Sequence, residues 1–289
     1  MVNSRLTWYL ESNGIITDYQ SGFRHQRCTT DQLVKLETFL RDTFIQRQHA
    51  VAIFFDLEKA YDTTWKHGIM RDLFDSGLRG RLPQFIGEFL RDRRFKVRVG
   101  TTFSDTHFQE MGVPQGSILS PILFSLKINN IVKCLPPGVD CSLYVDDFLI
   151  CYRARNMSSI ERQLQLSLNR IQTWCDENGF KFSQSKTMCV HFCQRRGICL
   201  DPELKLGGVQ IPVVKEVKFL GVWFDSKLNF ITHLKYVKAK CVKALNLLKV
   251  VSNKDWGGDR KTLLRIYRSH IRSKMDYACI VGEVQGHHI

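Results

Sequence analysis

Tyr144-Val145-Asp146-Asp147, with Cys141-Ser142-Leu143 before it and Phe148-Leu149-Ile150-Cys151-Tyr152 after it, is the stretch whose reading decides the fold. Two apolar runs flank two adjacent carboxylates, the pattern of a strand, a tight acidic turn and a second strand. Paired strands hold such a turn rigidly. Carboxylates fixed side by side repel each other, which makes the pair costly unless a cation lies between them. The turn reads either as an ordinary one, since Asp is a common turn former, or as a divalent-metal site, and the surrounding sequence has to decide.

Working outward, residues 50–55 are a short β-rich apolar run ending at Asp56, which predicts a buried strand with a carboxylate at its C-terminal end. If that strand neighbours the hairpin, Asp56, Asp146 and Asp147 converge. Three carboxylates with few other ligands suit Mg²⁺, which keeps waters and accepts phosphate oxygens in its remaining positions. Before this strand, Thr29-Thr30-Asp31-Gln32 resembles a capping box, and Leu33, Leu36, Leu40 and Phe44 make one apolar face of a helix reaching about residue 48. After it, helices are expected at 65–74 and 82–90, then a basic hairpin of 94–99 with 103–109 turned at Gly100. A turn-rich loop at 111–116 leads into a buried helix at 117–132, with Pro121 in its first turn. A helix from Ser158 or Ser159 to about Glu177 is closed by Asn178-Gly179, and 187–192 returns as a strand. Gly207-Gly208 turns a small hairpin, 217–224 is one further strand, and helices follow at 231–251 and 259–276. The shift from mixed α/β to basic helices places a domain boundary near Asp225, dividing 1–225 from 226–289.

Composition sets the class. A chain of 289 residues has ample apolar content for a core, and its longest apolar runs fall short of a membrane span. Residues 1–10 hold no apolar signal region, and ten cysteines without paired spacing fit reduced intracellular thiols. The net charge is +14, of which +10 falls between residues 227 and 276. Such a block suits a polyanion, because each neutralised phosphate releases counterions; a solvated helical face is the alternative.

Three segments in order carry a resemblance to a known family: Phe54-Phe55-Asp56-Leu57-Glu58-Lys59-Ala60-Tyr61-Asp62, then Gly112-Val113-Pro114-Gln115-Gly116-Ser117 with Ser120-Pro121, then Tyr144 to Asp147. They resemble the successive motifs of a reverse transcriptase palm. Ser21-Gly22-Phe23-Arg24, the 179–187 segment and Phe219-Leu220-Gly221 look like blocks of non-LTR (LINE-type) retrotransposon polymerases, most similar to the jockey-like group. The resemblance implies an α/β (α+β) right-hand polymerase with an antiparallel palm sheet, partial fingers and a basic helical thumb. It implies an RNA-directed DNA polymerase that adds dNMP to a primer 3′-hydroxyl on an RNA template, with two Mg²⁺ ions, or Mn²⁺ in their place, held by Asp56, Asp146 and Asp147. By the same resemblance Tyr61 lies under the incoming sugar and excludes a 2′-hydroxyl, while Gln115 and Gly116 lie against nucleotide and template. Arg24 belongs with the substrate-binding residues, and Lys186 matches a lysine that protonates pyrophosphate. Phe219, Leu220 and Gly221 match the primer-grip turn, and the helices bearing Lys235, Lys238 and Lys243 match the thumb. The implied partners are an RNA template, a DNA primer and dNTPs, with no membrane, in the nucleus or cytoplasm.

Two further points complete the reading. Cys189, His191 and Cys193 share one face of a predicted strand, with Cys199 nearby, but their spacing and the want of a fourth ligand set zinc aside. The chain starts after the family's upstream fingers blocks, and no endonuclease precedes it, so a fragment or decayed copy is expected, with nicking supplied by missing sequence or another protein. The alternatives are an inactive nucleic-acid-binding remnant or, given a longer basic maturase-like region than is present, an intron-encoded polymerase. Val145 stands where this group commonly has a small residue.

Overall fold

The computed structural model describes residues 1–195, 200–253, 255–277, 279 and 281. Helices α1 (Val2–Ser12) and α2 (Thr29–Ile45) precede the first strand, β1 (His49–Phe55). Then come α3 (Ala60–Thr63), α4 (Lys66–Asp75) and α5 (Arg81–Leu90). An exposed ribbon follows, made of β2 (Arg94–Phe95), β3 (Arg98–Val99), β4 (Thr102–Phe103) and β5 (His107–Phe108). Helix α6 (Ser120–Ile128) runs into a 3-10 turn at Asn129–Cys134. The acidic hairpin is β6 (Asp140–Tyr144) and β7 (Asp147–Ala154), followed by α7 (Met157–Asn178) and β8 (Met188–Phe192). Short strands β9 (Lys205–Leu206), β10 (Val209–Gln210) and β11 (Val213–Val214) lead to β12 (Glu216–Phe219) and β13 (Val222–Asp225). Helix α8 (Ile231–Val251), helix α9 (Arg260–Tyr267), a π-helical turn at Arg268–Arg272 and α10 (Ser273–Asp276) end the described chain's regular structure.

One five-stranded sheet, in the order β11-β8-β1-β7-β6, organises these elements. Strand β1 is its centre, antiparallel to both β7 and β8, and β6 continues antiparallel beyond β7. Successive side chains of a strand point to opposite faces. Val51, Ile53 and Phe55 accordingly join one core with α6 and α7, while Ala50, Ala52 and Phe54 join a second with α2 and the β12–β13 hairpin. Burial on both faces explains why residues 50–55 read as a continuous apolar run rather than an alternating one. A third cluster, centred on Leu6, Leu10, Ile69, Leu73 and Leu123, packs the N-terminal helix onto α4, α5 and α6.

The structure departs from the sequence reading at several places. Helix α1 was not foreseen, because its buried side presents only Leu6 and Leu10. The buried helix expected at 117–132 is α only from Ser120 to Ile128, where Asn129 begins the 3-10 turn. The single strand expected at 217–224 is two, since Leu220 and Gly221 both adopt positive φ (43° and 87°) and reverse the chain. The expected C-terminal helix is broken in type at the π-helical turn. Within α6, Lys127 is fully buried, and its ammonium contacts Asp72 Oδ2 at 3.2 Å and donates to Asn178 Oδ1 at 2.8 Å. Burial lowers the Lys127 pKa and raises that of Asp72, with each partner's charge opposing the shift.

Candidate active site

The three acidic residues come together at one end of the sheet through strand register alone. Phe55 pairs with Phe148, so one step further in the same register sets Asp56 across from Asp147. Tyr144 pairs with Asp147 across the hairpin, leaving Val145 and Asp146 as its two-residue turn. Beneath the acids lies an aromatic base: Phe55 stacks on Phe148 at 5.1 Å between ring centroids and meets Phe182 at 4.8 Å. Buried rings of this kind each stabilise the fold by roughly 1.5–3 kcal/mol and hold the carboxylates in fixed relation. Burial first, then the charges of Asp146 and Asp56, push the Asp147 pKa up to about 6. That repulsion is the physical sign of a site shaped for positive charge.

The turn itself is strained. Val145 has φ +61°, a conformation that β-branched residues rarely adopt, yet its side chain is buried at 7 % exposure. Gln20 compensates: fully buried, its Oε1 accepts from Val145 N at 3.0 Å and Gly22 N at 2.7 Å. The Tyr19–Ser21 backbone bonds to Leu143 on both sides, so this segment runs beside β6 as an extra edge. A Cβ at Gly22 would collide with Val145, which explains why glycine follows Ser21. In the sequence, Gln20 is one polar residue beside Ser21-Gly22-Phe23-Arg24, with nothing to mark it as buried.

Tyr61, Gln115 and Gly116 line one cavity of about 420 Å³, together with Phe23, Ser117, Ile118, Ser120 and Pro121. Tyr61 is stacked on Phe124 at 4.8 Å and 18°, which fixes its ring. Burial and the charge of Asp146 push its hydroxyl pKa up to about 12, so cavity and acids share one electrostatic environment. The loop is docked through its backbone: Gly112 N donates to Thr64 O at 2.7 Å and Val113 N to Tyr61 O at 2.8 Å. Gly112 has φ +85°, and a Cβ there would lie 2.6 Å from Asp62 O, so no other residue fits. Gln115 Nε2 reaches Asp62 Oδ1 at 3.0 Å.

Lys186 joins the acids, its ammonium 3.4 Å from Asp56 Oδ2, with both side chains open to solvent. Arg24 does not line the Tyr61–Gln115–Gly116 cavity: its guanidinium pairs with Glu11 and donates to the carbonyls of Thr17 and Gln20. Its work is to tie α1 to the segment that carries Gln20. Phe219 is also withdrawn, 4 % exposed and packed edge-on against Phe54 at 5.4 Å, because β12 turns it into the core. Leu220 and Gly221 do form a turn, and Tyr277 covers it, donating to Leu220 O at 2.7 Å and lying against the site where a Gly221 Cβ would be. Lys235, Lys238 and Lys243 stand exposed on α8.

As a donor set, Asp56, Asp146 and Asp147 are mutually repulsive hard oxygens, Asp146 and Asp147 at the surface and Asp56 partly covered, with protein packed closely enough around Asp147 to desolvate it, which fits divalent ions that retain water. Among the described residues no helix is long and apolar enough to cross a membrane.

Residues 1–224 match the family described as reverse transcriptase (RNA-dependent DNA polymerase). The "Probable RNA-directed DNA polymerase from transposon BS" of Drosophila melanogaster is 28% identical over 263 residues, covering 88% of this chain and 29% of that protein. The "RNA-directed DNA polymerase from mobile element jockey" of the same organism is 28% identical over 243 residues, covering 81% and 26%. The chain therefore spans less than a third of the length of these relatives. Among solved structures, telomerase from Candida Tropicalis in complex with a TWJ fragment of telomeric RNA superposes with a TM-score of 0.55 at 13% identity, over 97% of this chain and 45% of that one.

Proposed function

The chain belongs to the reverse transcriptase family, whose members use divalent metal ions, and we propose that it is the polymerase portion of a non-LTR, jockey-like retrotransposon enzyme, adding dNMP to a primer 3′-hydroxyl opposite an RNA template. Convergence of Asp56, Asp146 and Asp147 at the sheet end, beside the Tyr61–Gln115–Gly116 cavity, is the observation that carries this reading. Residues 1–225 would be partial fingers and palm, and 226–289 a basic thumb-like region.

The three carboxylates would hold two Mg²⁺ ions. Bound there, divalent ions would favour the alkoxide form of the primer hydroxyl and offset charge on the departing pyrophosphate. Everything else falls to the chain's own groups. The Tyr61 ring, pinned on Phe124, would occupy the space a ribose 2′-hydroxyl needs and select dNTP. Gly116, with φ +87° and open space at its missing Cβ, would let the backbone approach the nucleotide. Lys186, 3.4 Å from Asp56, would hand a proton to the leaving pyrophosphate. The exposed lysines of α8 would neutralise phosphates of the primer–template.

Primer extension on an RNA template with Mg²⁺ and dNTPs tests the proposal. Template-directed incorporation is expected, with rNTP use rising in Tyr61→Ala. Protein that binds the hybrid tightly and adds nothing is instead an inactive nucleic-acid-binding remnant.

A further inference from the structure

At the opposite end of β1 from the carboxylates lies a cluster with different chemistry. Asp56 lies seven residues along the chain from His49, about 23 Å of extended strand at roughly 3.3 Å per residue. Here the register of β1 with β8, in which Ala50 pairs with Phe192, sets His49 across from Cys193, with His191 two residues back on the same face. His49 Nδ1 and His191 Nε2 are 3.0 Å apart, and ligand atoms of His49, His191 and Cys193 all lie within 4.8 Å of one another. His191 and Cys193 are 7 % and 5 % exposed.

We propose that His49, His191 and Cys193 form a zinc site that clamps the outer end of β1 to β8, distinct from the Mg²⁺-type site of the acids. Two imidazole nitrogens and a sulfur are borderline-soft donors, the set that Zn²⁺ takes and Mg²⁺ does not. Nitrogen and sulfur bonds of about 2.0–2.3 Å need ligand atoms closer than the upper limit seen here, a movement of side chains alone.

The surroundings are those of a ligand set. His191 Nδ1 lies 3.0 Å from Asp201 Oδ1, so a proton held on Nδ1 leaves Nε2 with its lone pair toward the cluster; a carboxylate behind a metal-bound histidine does the same. The backbone N–H of Arg195 donates to Cys193 Sγ at 3.4 Å, which holds the sulfur beside the two rings. Without an ion, the facing nitrogens share one proton. On binding, His49 carries its proton on Nε2 instead of Nδ1, Arg195 Nη1 withdraws from its 3.2 Å contact there, and Cys193 releases its thiol proton to solvent. Water completes the tetrahedron. Sequence spacing hid the site because its third ligand comes from a neighbouring strand 142 residues away. Cys189, grouped earlier with these residues, is instead packed deeper along β8 across from Ile53. Cys199 lies outside the described residues.

Cobalt substitution tests the proposal. The 289-residue chain titrated with Co²⁺ in excess Mg²⁺ should bind one equivalent with a thiolate-to-cobalt charge-transfer band and the visible bands of a four-coordinate ion, all displaced by Zn²⁺. Cys193→Ser should lose the charge-transfer band. Asp201→Asn, which keeps every ligand, should weaken Co²⁺ binding by about 10–100-fold, and circular dichroism would verify that both variants fold. Absence of the charge-transfer band in wild type, or its survival in folded Cys193→Ser, would overturn the site and leave a hydrogen-bonded His–His–Asp chain.

Discussion

Strand β1 and helix α8 are built on opposite terms. Every residue of β1 from Ala50 to Phe55 is buried, whereas among the twenty-one residues of α8 only Ala244 is. In the sheet, position is set by packing on two faces, so the acids at its end are placed before any substrate arrives. On α8, lysines stand in solvent beside exposed Leu234, Val242 and Leu245, and a groove of about 460 Å³ runs between α8 and the following helical segment. Geometry in the first region comes from burial and register; in the second, what the surface offers is charge. Substitutions at the sheet should therefore change chemistry or folding, and substitutions on α8 should change binding and its salt dependence.

The largest effect is expected from Asp146→Asn, which should lower incorporation by on the order of 10³-fold or more if the acids hold the ions as proposed. Hybrid binding, measured alongside by filter retention, should hardly move; a matching loss of binding would blur the division between the regions. Next comes Lys127→Ala, which leaves Asp72 without its partner inside the fold. Breaking such a buried pair should destabilise by about 3–5 kcal/mol in urea unfolding, whereas Lys243→Ala on α8 should stay within about 0.5 kcal/mol. Equal effects would show that α8 is as much a part of the core as α6.

Charge on α8 is addressed by replacing Lys235, Lys238 and Lys243 together with Ala. If each meets a phosphate, the slope of log K against log salt should fall by roughly 2–3, with single-turnover incorporation at saturating hybrid kept. An unchanged slope would move the duplex to another face.

A titration gives the next test. The folded pKa of Asp147, about 6, lies above its ordinary value of 3.8, so between those values the folded chain holds the extra proton. Stability then falls as pH rises through that window, and the penalty is complete above it. Asp147→Asn carries no such proton, so in EDTA its stability relative to wild type should improve as pH rises from 3.8 to 6. A flat difference would deny that burial and the neighbouring carboxylates raise the Asp147 pKa. The smallest change is expected from Val145→Gly. Relief of the left-handed backbone, about 1–2 kcal/mol, opposes loss of a buried side chain worth roughly as much, leaving a net within about 1 kcal/mol by thermal melts.

The same contrast explains what could be read from sequence. Strand β1, the acidic hairpin and the Gly207-Gly208 turn were legible because apolar runs and turn residues act over short distances. Helix α7 was legible through its Gly179 stop, which the structure places in the left-handed region at φ +75°. Roles that depend on partners distant in sequence were not. Gln20 looks like any polar residue until the hairpin lies beside it, Lys127 like a surface charge until Asp72 and Asn178 meet it, and His49 like a strand end until His191 arrives. Arg24 and Phe219 show the converse: each stands in a recognisable block, yet ion pairing with Glu11 and packing on Phe54 give them structural work. Leu220, an apolar residue at positive φ, gave no sign that one expected strand was two.

The central claim, that Asp56, Asp146 and Asp147 act as one divalent-ion centre, is tested most directly by Mn²⁺ titration followed by electron paramagnetic resonance, with primer–template and a non-hydrolysable dNTP present. Two ions held about 3.5–4 Å apart should give an exchange-coupled spectrum in wild type, and Asp56→Asn or Asp147→Asn should abolish the coupling. An uncoupled spectrum in wild type, or a coupled pair that survives either substitution, would contradict it.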